Sequence, residues 1–206
     1  IHEDRTKVSK YLITLQTLRL VEKRVPCGES EKSKKSIYVI KDNFLKFWFR
    51  YSFTDNTYYE ILGAKEAADE IMEDISSYMG DAFEGICKEY LIRQAKKRNL
   101  PFIPYHIGKW WGTNPFIKAQ DDVDVLALDK SQAKALFVEC KFTSNPMPLE
   151  EYQDLVNATK AFPRVKEKYL YFVSKSGFTK PVVRQAALDH AKLLNIDDLF
   201  DGFDPN

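Results

Sequence analysis

The sequence has few residues of the kinds that build disulfide frameworks or zinc sites: three cysteines and three histidines among 206 residues. The cysteines are odd in number and irregularly spaced, which favours reduced thiols and a cytoplasmic setting. They form no zinc-ligand pattern, and His2, His106 and His190 are scattered along the chain. These counts argue against a disulfide-stabilised secreted domain and against a Cys/His metal cluster.

Long apolar runs and glycine-rich nucleotide motifs are missing as well. No segment predicts a membrane span and no signal peptide opens the chain, so we expect no membrane partner. No Gly-x-x-x-x-Gly-Lys-Ser/Thr, Gly-x-Gly-x-x-Gly or Gly-x-Ser-x-Gly run occurs, which argues against ATP hydrolysis by this chain alone, a dinucleotide site and an esterase. Because a helical pattern starts close to Ile1, we expect the chain to be a fragment of a longer protein.

Charged residues interrupt two apolar runs that otherwise predict buried strands. Asp124 lies within residues 123–128, and Glu139 and Lys141 lie near the end of residues 133–142. A charge inside a buried strand costs free energy unless it is paired or holds a metal. The three side chains are therefore candidates for a site.

The turn predicted at residues 130–133 sets the register of these two strands. If Asp129 lies opposite Lys134, then Asp124 lies opposite Glu139. Alternation places Asp124, Glu139 and Lys141 on one face. The other face would carry Val123, Val125, Val138 and Cys140.

Two facing carboxylates repel each other unless a proton or a cation lies between them. Their hard oxygen atoms suit Mg²⁺ or Mn²⁺. Lys141 would then orient an attacking water or stabilise developing negative charge. A structural ion pair between Lys141 and one of the acids is the alternative, and the strands by themselves leave both interpretations open.

The segment 122–124, its apolar continuation, the turn and residues 138–141 together resemble the PD-(D/E)XK nuclease superfamily. That resemblance implies a third acid on an upstream helix, and Glu84 matches it. Glu84 lies at the edge of an apolar helical stripe made of Phe83, Ile86, Cys87, Tyr90 and Leu91. A first-turn acid favoured by the helix dipole is the alternative for Glu84.

A narrower resemblance covers most of the chain. Residues 42–51, 80–84, 107–111, the Asp-Glu-Lys set and residues 174–178 resemble, in this order, the C-terminal region of archaeal-type AAA+ ATPases, which also occur in bacteria. The resemblance implies an α/β chain: a partial winged helix followed by a restriction-endonuclease-like α/β sandwich with a mixed central sheet. It assigns residues 1–52 to the winged-helix part, 53–79 to a helical connector and 80–206 to the nuclease-like domain.

The N-terminal part is basic, with twelve Lys or Arg and six Asp or Glu in residues 1–50, a net charge of +6. The apolar spacing predicts a helix at 5–19, and strands at 20–25 and 36–40 flank a lysine-rich loop. This order matches the second half of a winged helix, which would bind DNA through the helix and the wing. A packing or dimerisation module with a solvated charged face is the alternative. The candidate nucleic-acid contacts are Arg5, Lys7, Lys10, Lys32, Lys34 and Lys35, together with Lys175 near the site.

The spacing of apolar residues and the positions of capping and helix-breaking residues predict the remaining elements. Asp42 is expected to cap a helix that ends at Tyr51. One or two helices are expected in residues 54–79, with breaks at Gly63 and Gly80, and a further helix is expected at 82–98. An irregular stretch is expected at 110–115. A helix at 149–162, a strand at 169–174 and a helix at 181–194 complete the chain, and the first of these helices makes strands 134–142 and 169–174 parallel.

The expected function is a Mg²⁺- or Mn²⁺-dependent DNA nuclease domain in the C-terminal part of an AAA+ type ATPase. Its metal would be held by Asp124, Glu139 and the Cys140 carbonyl, and its catalytic residues would be Glu84, Asp124, Glu139 and Lys141. DNA and the ATPase domain of the same full-length chain are the expected partners, and a homo-oligomer is left open. The alternative function is a catalytically inactive nuclease-fold module that binds nucleic acid or protein and regulates the ATPase.

Overall fold

The computed structural model of the chain describes residues 4–53 and 56–200, with the side chains of Arg5 and Asn56 outside the description. The chain forms two compact units. The first contains Ile1–Val25 and Ser30–Tyr78, and the second contains Pro26–Glu29 and Met79–Asn206. Within the described ranges, no helix has the length and apolar character needed to cross a membrane.

The first unit is mostly helical, with one small hairpin. Its elements are α1 (Arg5–Thr17), β1 (Val21–Arg24), β2 (Ile37–Ile40), α2 (Asn43–Tyr51), α3 (Asn56–Leu62) and the first part of α4 (Ala64–Lys96). β1 and β2 pair antiparallel, with Val21 opposite Ile40. The carboxylate of Asp42 accepts a 2.9 Å hydrogen bond from the N–H of Leu45, which confirms the predicted cap of α2.

Aromatic and ionic contacts join α2 to α4 inside the first unit. The ring of Phe47 lies 4.9 Å from that of Tyr51 and 5.7 Å from that of Tyr78. The Tyr51 hydroxyl donates a 2.8 Å hydrogen bond to Asp74, which also pairs with Arg50. The aromatic residues of α2 that lie on this side therefore pack against the neighbouring helix.

The prediction that Gly80 breaks a helix is wrong, because α4 runs without interruption from Ala64 to Lys96. Gly63 does separate two helices, at a φ of +94° that favours glycine. A glycine inside a helix costs about 1 kcal/mol relative to alanine. The buried stripe that begins at Phe83 and continues to Leu91 outweighs that cost.

The second unit is built around a mixed five-stranded sheet. Its strands are β3 (His106–Asn114), β4 (Ala119–Leu128), β5 (Lys134–Lys141), β6 (Glu167–Ser174) and β7 (Lys192–Asn195), and they lie in that order across the sheet. β3, β4 and β5 pair antiparallel, whereas β5, β6 and β7 pair parallel. The expected α/β class, mixed sheet and parallel β5–β6 pair are confirmed.

Helices cover both faces of this sheet. α5 (Leu149–Ala158) and α6 (Lys180–Asp189) bury Tyr152, Leu155 and Val182 in one apolar cluster with Phe137. The second half of α4 buries the stripe from Phe83 to Leu91 in another cluster, which lies on the opposite face. Each sheet face therefore has its own core.

Three predicted elements differ from the structure. The stretch at 110–115 is not irregular, because both tryptophans belong to β3. The predicted helix 149–162 ends at Ala158 and continues as a short 3₁₀ turn over Thr159–Ala161. The predicted helix 181–194 ends at Asp189, since His190 adopts a left-handed φ of +54°, and the chain then enters β7.

Candidate active site

The register of β4 against β5 brings the predicted strand residues together. Val125 lies opposite Val138, and the pairing continues to Leu128 opposite Ala135, which is the register predicted from the turn. Beyond the last of these pairs, the Asp124 carboxylate accepts a 2.8 Å hydrogen bond from the backbone N–H of Cys140. Asp124 is thereby fixed to the β5 segment that carries Glu139 and Lys141.

A bulge in β4 interrupts the alternation at this point. Gly108 pairs with Leu126 and Trp110 pairs with Val123, so two β4 residues, Asp124 and Val125, face the single β3 residue Lys109. Val123 consequently packs in the cluster of Trp110, and its predicted place beside Val125 is wrong. Bulges of this kind redirect side chains next to functional sites.

Lys109 is the centre of the acidic side chains. Its Nζ lies 2.7 Å from Glu84 Oε1, 3.1 Å from Asp122 Oδ2 and 3.4 Å from Asp124 Oδ1. Its backbone carbonyl accepts a 2.9 Å hydrogen bond from the N–H of Cys27. The structure thus brings the predicted residues Glu84 and Asp124 together and adds Lys109 and Asp122, for which the sequence predicts no role.

Lys141 forms a second group of contacts beside the first. Its Nζ lies 3.3 Å from Glu139 Oε1 and 2.7 Å from Glu151 Oε2. Glu151 is in the first turn of α5 and had not been singled out in the sequence. The ion pair that was the alternative interpretation for Lys141 is therefore present, with a second acid that holds the ammonium group from the helix.

The acids occupy half-buried positions that disfavour their charged forms. Burial, together with the negative charge of Asp124, raises the pKa of Glu84 to about 7. The same two causes raise the pKa of Glu139 to about 8. Burial lowers the pKa of Lys109 and of Lys141, but their acidic neighbours outweigh it and keep both ammonium groups protonated. The site thus holds more negative charge than its two lysines neutralise.

A cavity of about 360 Å³ opens beside these residues. Its lining includes Asp122, Glu139, Lys141, Glu151 and Asp154, with Ile117 at the turn between β3 and β4. The side chains of Asp124 and Glu139 keep 13% and 16% of their surface exposed. Small polar molecules can therefore reach the part of the site formed by Glu139, Lys141 and Glu151.

Comparison with known proteins identifies the family. The model of the family DUF234, described as archaea bacterial proteins of unknown function, matches residues 48–155, just over half of the chain. The chain belongs to DUF234. The matched residues of DUF234 include every acid and both lysines of the site described above.

Relatives and solved structures of similar shape give no function. An uncharacterized protein of Methanocaldococcus jannaschii is 39% identical over 145 residues, which are 68% of this chain and 30% of that protein. The chain therefore spans less than a third of the length of this relative. The crystal structure of protein VC1899 from Vibrio cholerae matches with 10% identity and a TM-score of 0.46, over 95% of this chain and 40% of that one. The crystal structure of the protein of unknown function AF1548 matches with 11% identity and a TM-score of 0.40, over 55% of this chain and 63% of that one.

The acidic side chains of this DUF234 site offer oxygen atoms of the type that hard cations prefer. Carboxylate oxygens from Glu84, Asp122 and Asp124 already surround one cationic nitrogen, and carboxylate oxygens are the ligands that Mg²⁺ and Mn²⁺ prefer. Across residues 4–53 and 56–200, however, no three His, Cys, Asp or Glu side chains are arranged to hold one metal ion. The two lysines are the cations that the acids contact.

The Cys140 side chain lies on the face of the sheet that α4 covers, opposite to the side chains of Glu139 and Lys141. It is buried in the cluster of Phe83 and Cys87, and burial raises the pKa of its thiol. Its predicted role concerns the backbone carbonyl alone, and that role stays a prediction.

The predicted nucleic-acid contacts are divided between the two units. Lys7 and Lys10 are exposed on α1, and Lys32, Lys34 and Lys35 are exposed between β1 and β2. Arg5 belongs to α1, but its side chain lies outside the described part. In the second unit, the N–H of Lys175 donates a 3.0 Å hydrogen bond to the carbonyl of Lys141, and its Nζ lies 4.4 Å from the centre of the Phe142 ring. Lys175 is therefore directly next to the end of β5.

Proposed function

We propose that the second unit carries a divalent-cation-dependent phosphodiesterase site that hydrolyses DNA. The observation that carries this proposal is the connected arrangement of Glu84, Asp124, Glu139 and Lys141, from one helix and two strands. Glu84 and Asp124 share the Lys109 ammonium, Asp124 accepts a hydrogen bond from the backbone between Glu139 and Lys141, and those two residues line a cavity open to solvent. Raised pKa values of two acids in such a position are typical of functional sites. The order helix acid, strand acid, then Glu-x-Lys supports a PD-(D/E)XK type of site.

A divalent cation would be held by Asp124, Glu139 and the Cys140 carbonyl, and Glu84 would complete its shell or act through water. Such an ion supplies charge neutralisation at the phosphoryl oxygens and lowers the pKa of water. The excess of carboxylates over ammonium groups in this site supports the assignment, since repulsion between acids is relieved by a cation.

The chain's own residues then have separate tasks. Hydrolysis forms a bond from a water oxygen to phosphorus and breaks a phosphorus–oxygen ester bond, and one proton of the water passes to the leaving alkoxide. Lys141, fixed by Glu139 and Glu151, can orient that water and stabilise the negative charge that develops on the phosphate. Glu84 faces Asp124 across the Lys109 ammonium, which places it to act through a water molecule bound at the site.

DNA is proposed as the substrate because of the basic N-terminal part. The net charge of +6 in residues 1–50 and the exposed lysines between β1 and β2 suit contacts to phosphates. We propose that α1, β1 and β2 are the second half of a winged helix, and that the second unit is a restriction-endonuclease-like sandwich. The chain spans only part of a longer relative, and we propose that the full-length protein also contains an ATPase domain.

A cleavage assay tests the proposal. Purified protein is incubated with supercoiled, linear duplex and single-stranded DNA in Mg²⁺ or Mn²⁺, beside Asp124→Asn and Lys141→Ala. We expect cleavage by the wild type, loss of it in both variants, and no change in Lys130→Ala, which removes an exposed charge from the turn after β4. Absence of cleavage of every DNA form at high protein concentration in Mn²⁺ would contradict the proposal.

A binding module with an unused site is the second candidate. Two observations support it. Lys109 and Lys141 form ion pairs with the acidic side chains, and the described residues contain no group of three side chains arranged to hold a metal ion. Titration with Mn²⁺ separates the two candidates. Binding that disappears in Asp124→Asn favours the enzyme, whereas identical heats for the wild type and that variant favour the binding module.

A further inference from the structure

Lys109 lies among three of the acidic side chains of the proposed cation site. The Lys109 ammonium lies within 3.4 Å of carboxylate oxygens from Glu84, Asp122 and Asp124. These acids come from α4, from the β4 bulge itself and from the position two residues before Asp124, and without Lys109 they would lie together with no positive charge among them. Lys109 is thus the counter-ion of this group of acids.

The backbone places Lys109 there. It is the single β3 residue that faces the bulged pair Asp124 and Val125. Its carbonyl is held by the N–H of Cys27, whose thiol donates a hydrogen bond to the Leu126 carbonyl. The backbone of β3 at Lys109 and of β4 at Leu126 is therefore fixed by hydrogen bonds, whereas the four-carbon side chain of Lys109 can rotate.

An ammonium group and a divalent ion compete for the same oxygens. Mg²⁺ binds carboxylate oxygens at about 2.1 Å, and the Asp124 Oδ1 atom lies 3.4 Å from the Lys109 nitrogen, so an ion bound to that oxygen would lie next to the ammonium group. Two cations in contact also repel each other strongly in a half-buried position. The Lys109 side chain is 31% exposed, so it has a route to solvent that does not require unfolding.

Lys141 differs from Lys109 in this respect. Its nitrogen contacts Glu139 and Glu151, and Glu151 belongs to α5, which covers the opposite face of the sheet from α4. A cation that binds near Glu84 and Asp124 leaves the contact between Lys141 and Glu151 intact. The two lysines of the site are therefore not equivalent.

We propose that Lys109 is a resident counter-ion that a divalent cation must displace from Glu84, Asp122 and Asp124, so that Lys109 sets the cation affinity of the site. This inference rests on the proposed function, because it assumes that the site takes a cation. It adds Asp122 to the oxygens available to the ion and gives Lys109 a regulatory role at the site. Lys109 is a positioning residue here and touches no reacting atom.

Binding of Mn²⁺ tests the inference without any measurement of activity. Free Mn²⁺ is followed by electron paramagnetic resonance in titrations of the wild type, Lys109→Met, Lys109→Arg and Lys130→Met. We expect Lys109→Met to bind Mn²⁺ about tenfold or more tightly than the wild type, which corresponds to removal of about 1.4 kcal/mol of competition. Lys109→Arg keeps the charge and should bind as weakly as the wild type, and Lys130→Met should not change the affinity.

Equal or weaker binding by Lys109→Met, in a wild type that does bind Mn²⁺ through Asp124, would overturn the role of Lys109 and leave the proposed function standing. Binding by neither protein would remove the cation site itself, and with it both proposals. The two failures are therefore distinguishable.

A second measurement on the wild type covers the case in which Lys109→Met does not fold. Reductive methylation of lysines is followed by mass spectrometry with and without Mg²⁺. Displacement predicts that Mg²⁺ increases the methylation rate of Lys109 several-fold, while Lys130 reacts at an unchanged rate. A rate at Lys109 that stays constant or falls while Mg²⁺ stabilises the protein against heat would contradict displacement.

Discussion

The carboxylate of Asp124 accepts a 2.8 Å hydrogen bond from the backbone N–H of Cys140, which lies between Glu139 and Lys141 on the neighbouring strand. This contact holds the Asp124 carboxylate against the backbone of β5, the strand that carries Glu139 and Lys141. The other Asp124 oxygen contacts Lys109. Asp124 therefore connects the two charged groups of the site.

Replacement of Asp124 should separate its backbone role from its charge. Asp124→Ala leaves the half-buried N–H of Cys140 without its acceptor and should lower the free energy of unfolding by about 1–3 kcal/mol. Asp124→Asn keeps an acceptor oxygen and relieves repulsion with Glu84 and Glu139, so its loss should be much smaller. Urea denaturation in EDTA measures both values, and equal losses in the two variants would argue against the hydrogen bond.

The raised pKa values of Glu84 and Glu139 make stability depend on pH. Between the ordinary pKa near 4.5 and the raised values of about 7 and 8, the folded protein binds more protons than the unfolded chain. The free energy of unfolding of the metal-free protein should therefore fall as pH rises from 5 to 8, by on the order of 3 kcal/mol. Urea denaturation at several pH values in EDTA measures the slope.

Glu139→Gln is the control for this pH dependence. Glutamine carries no proton to lose in that range, so the variant should show a shallower slope and should exceed the wild type in stability at pH 8. A wild-type stability that rises between pH 5 and pH 8 in EDTA would have the opposite sign from the one predicted.

Two glycines test the continuity of α4. Gly80 lies inside the helix, and a Cβ built on it meets nothing within 4 Å, so Gly80→Ala should stabilise the protein by about 0.5–1 kcal/mol. Gly63 has a φ of +94°, so Gly63→Ala should destabilise it by about 1 kcal/mol or more. Thermal unfolding gives both signs, and a destabilising Gly80→Ala would indicate that the helix breaks there.

Glu151 should act through Lys141. Glu151→Gln removes the 2.7 Å contact that holds the ammonium group from α5, so the cleavage rate under the proposed function should fall about tenfold or more. The Mn²⁺ affinity should stay unchanged, because Glu151 is not among the proposed ligands. A matched Glu150→Gln variant, in the same helical turn, should keep the wild-type rate. Loss of Mn²⁺ binding in Glu151→Gln would assign it a different role.

The pairing of β4 with β5 was predictable because the turn that joins them is local. Asp129 and Lys134 exchange backbone and side-chain hydrogen bonds across the turn, at 3.2 Å and 2.8 Å. A short turn fixes the register of every pair that follows it, and alternation then places Glu139 and Lys141 on one face. The predicted meeting of Asp124 with this strand depended on nothing more distant.

Lys109 was not predictable in the same way. Its place depends on the pairing of β3 with β4, on the bulge beside Asp124 and on the contact with Cys27, which lies 82 positions earlier in the chain. The glycine and tryptophans around it predict an irregular stretch, and no local pattern indicates a bulge. The segment 107–111 was nevertheless part of the family resemblance, and its lysine, placed between apolar residues, was the available signal.

The most direct test of the cation site is anomalous scattering from crystals of the wild type and of Asp124→Asn soaked in Mn²⁺. We expect one anomalous peak beside Asp124 and Glu139 in the wild type, with Lys109 turned away from Glu84, and no peak in the variant. Wild-type crystals that show no peak there, with Lys109 still in contact with Glu84 and Asp124, would contradict the proposed cation site.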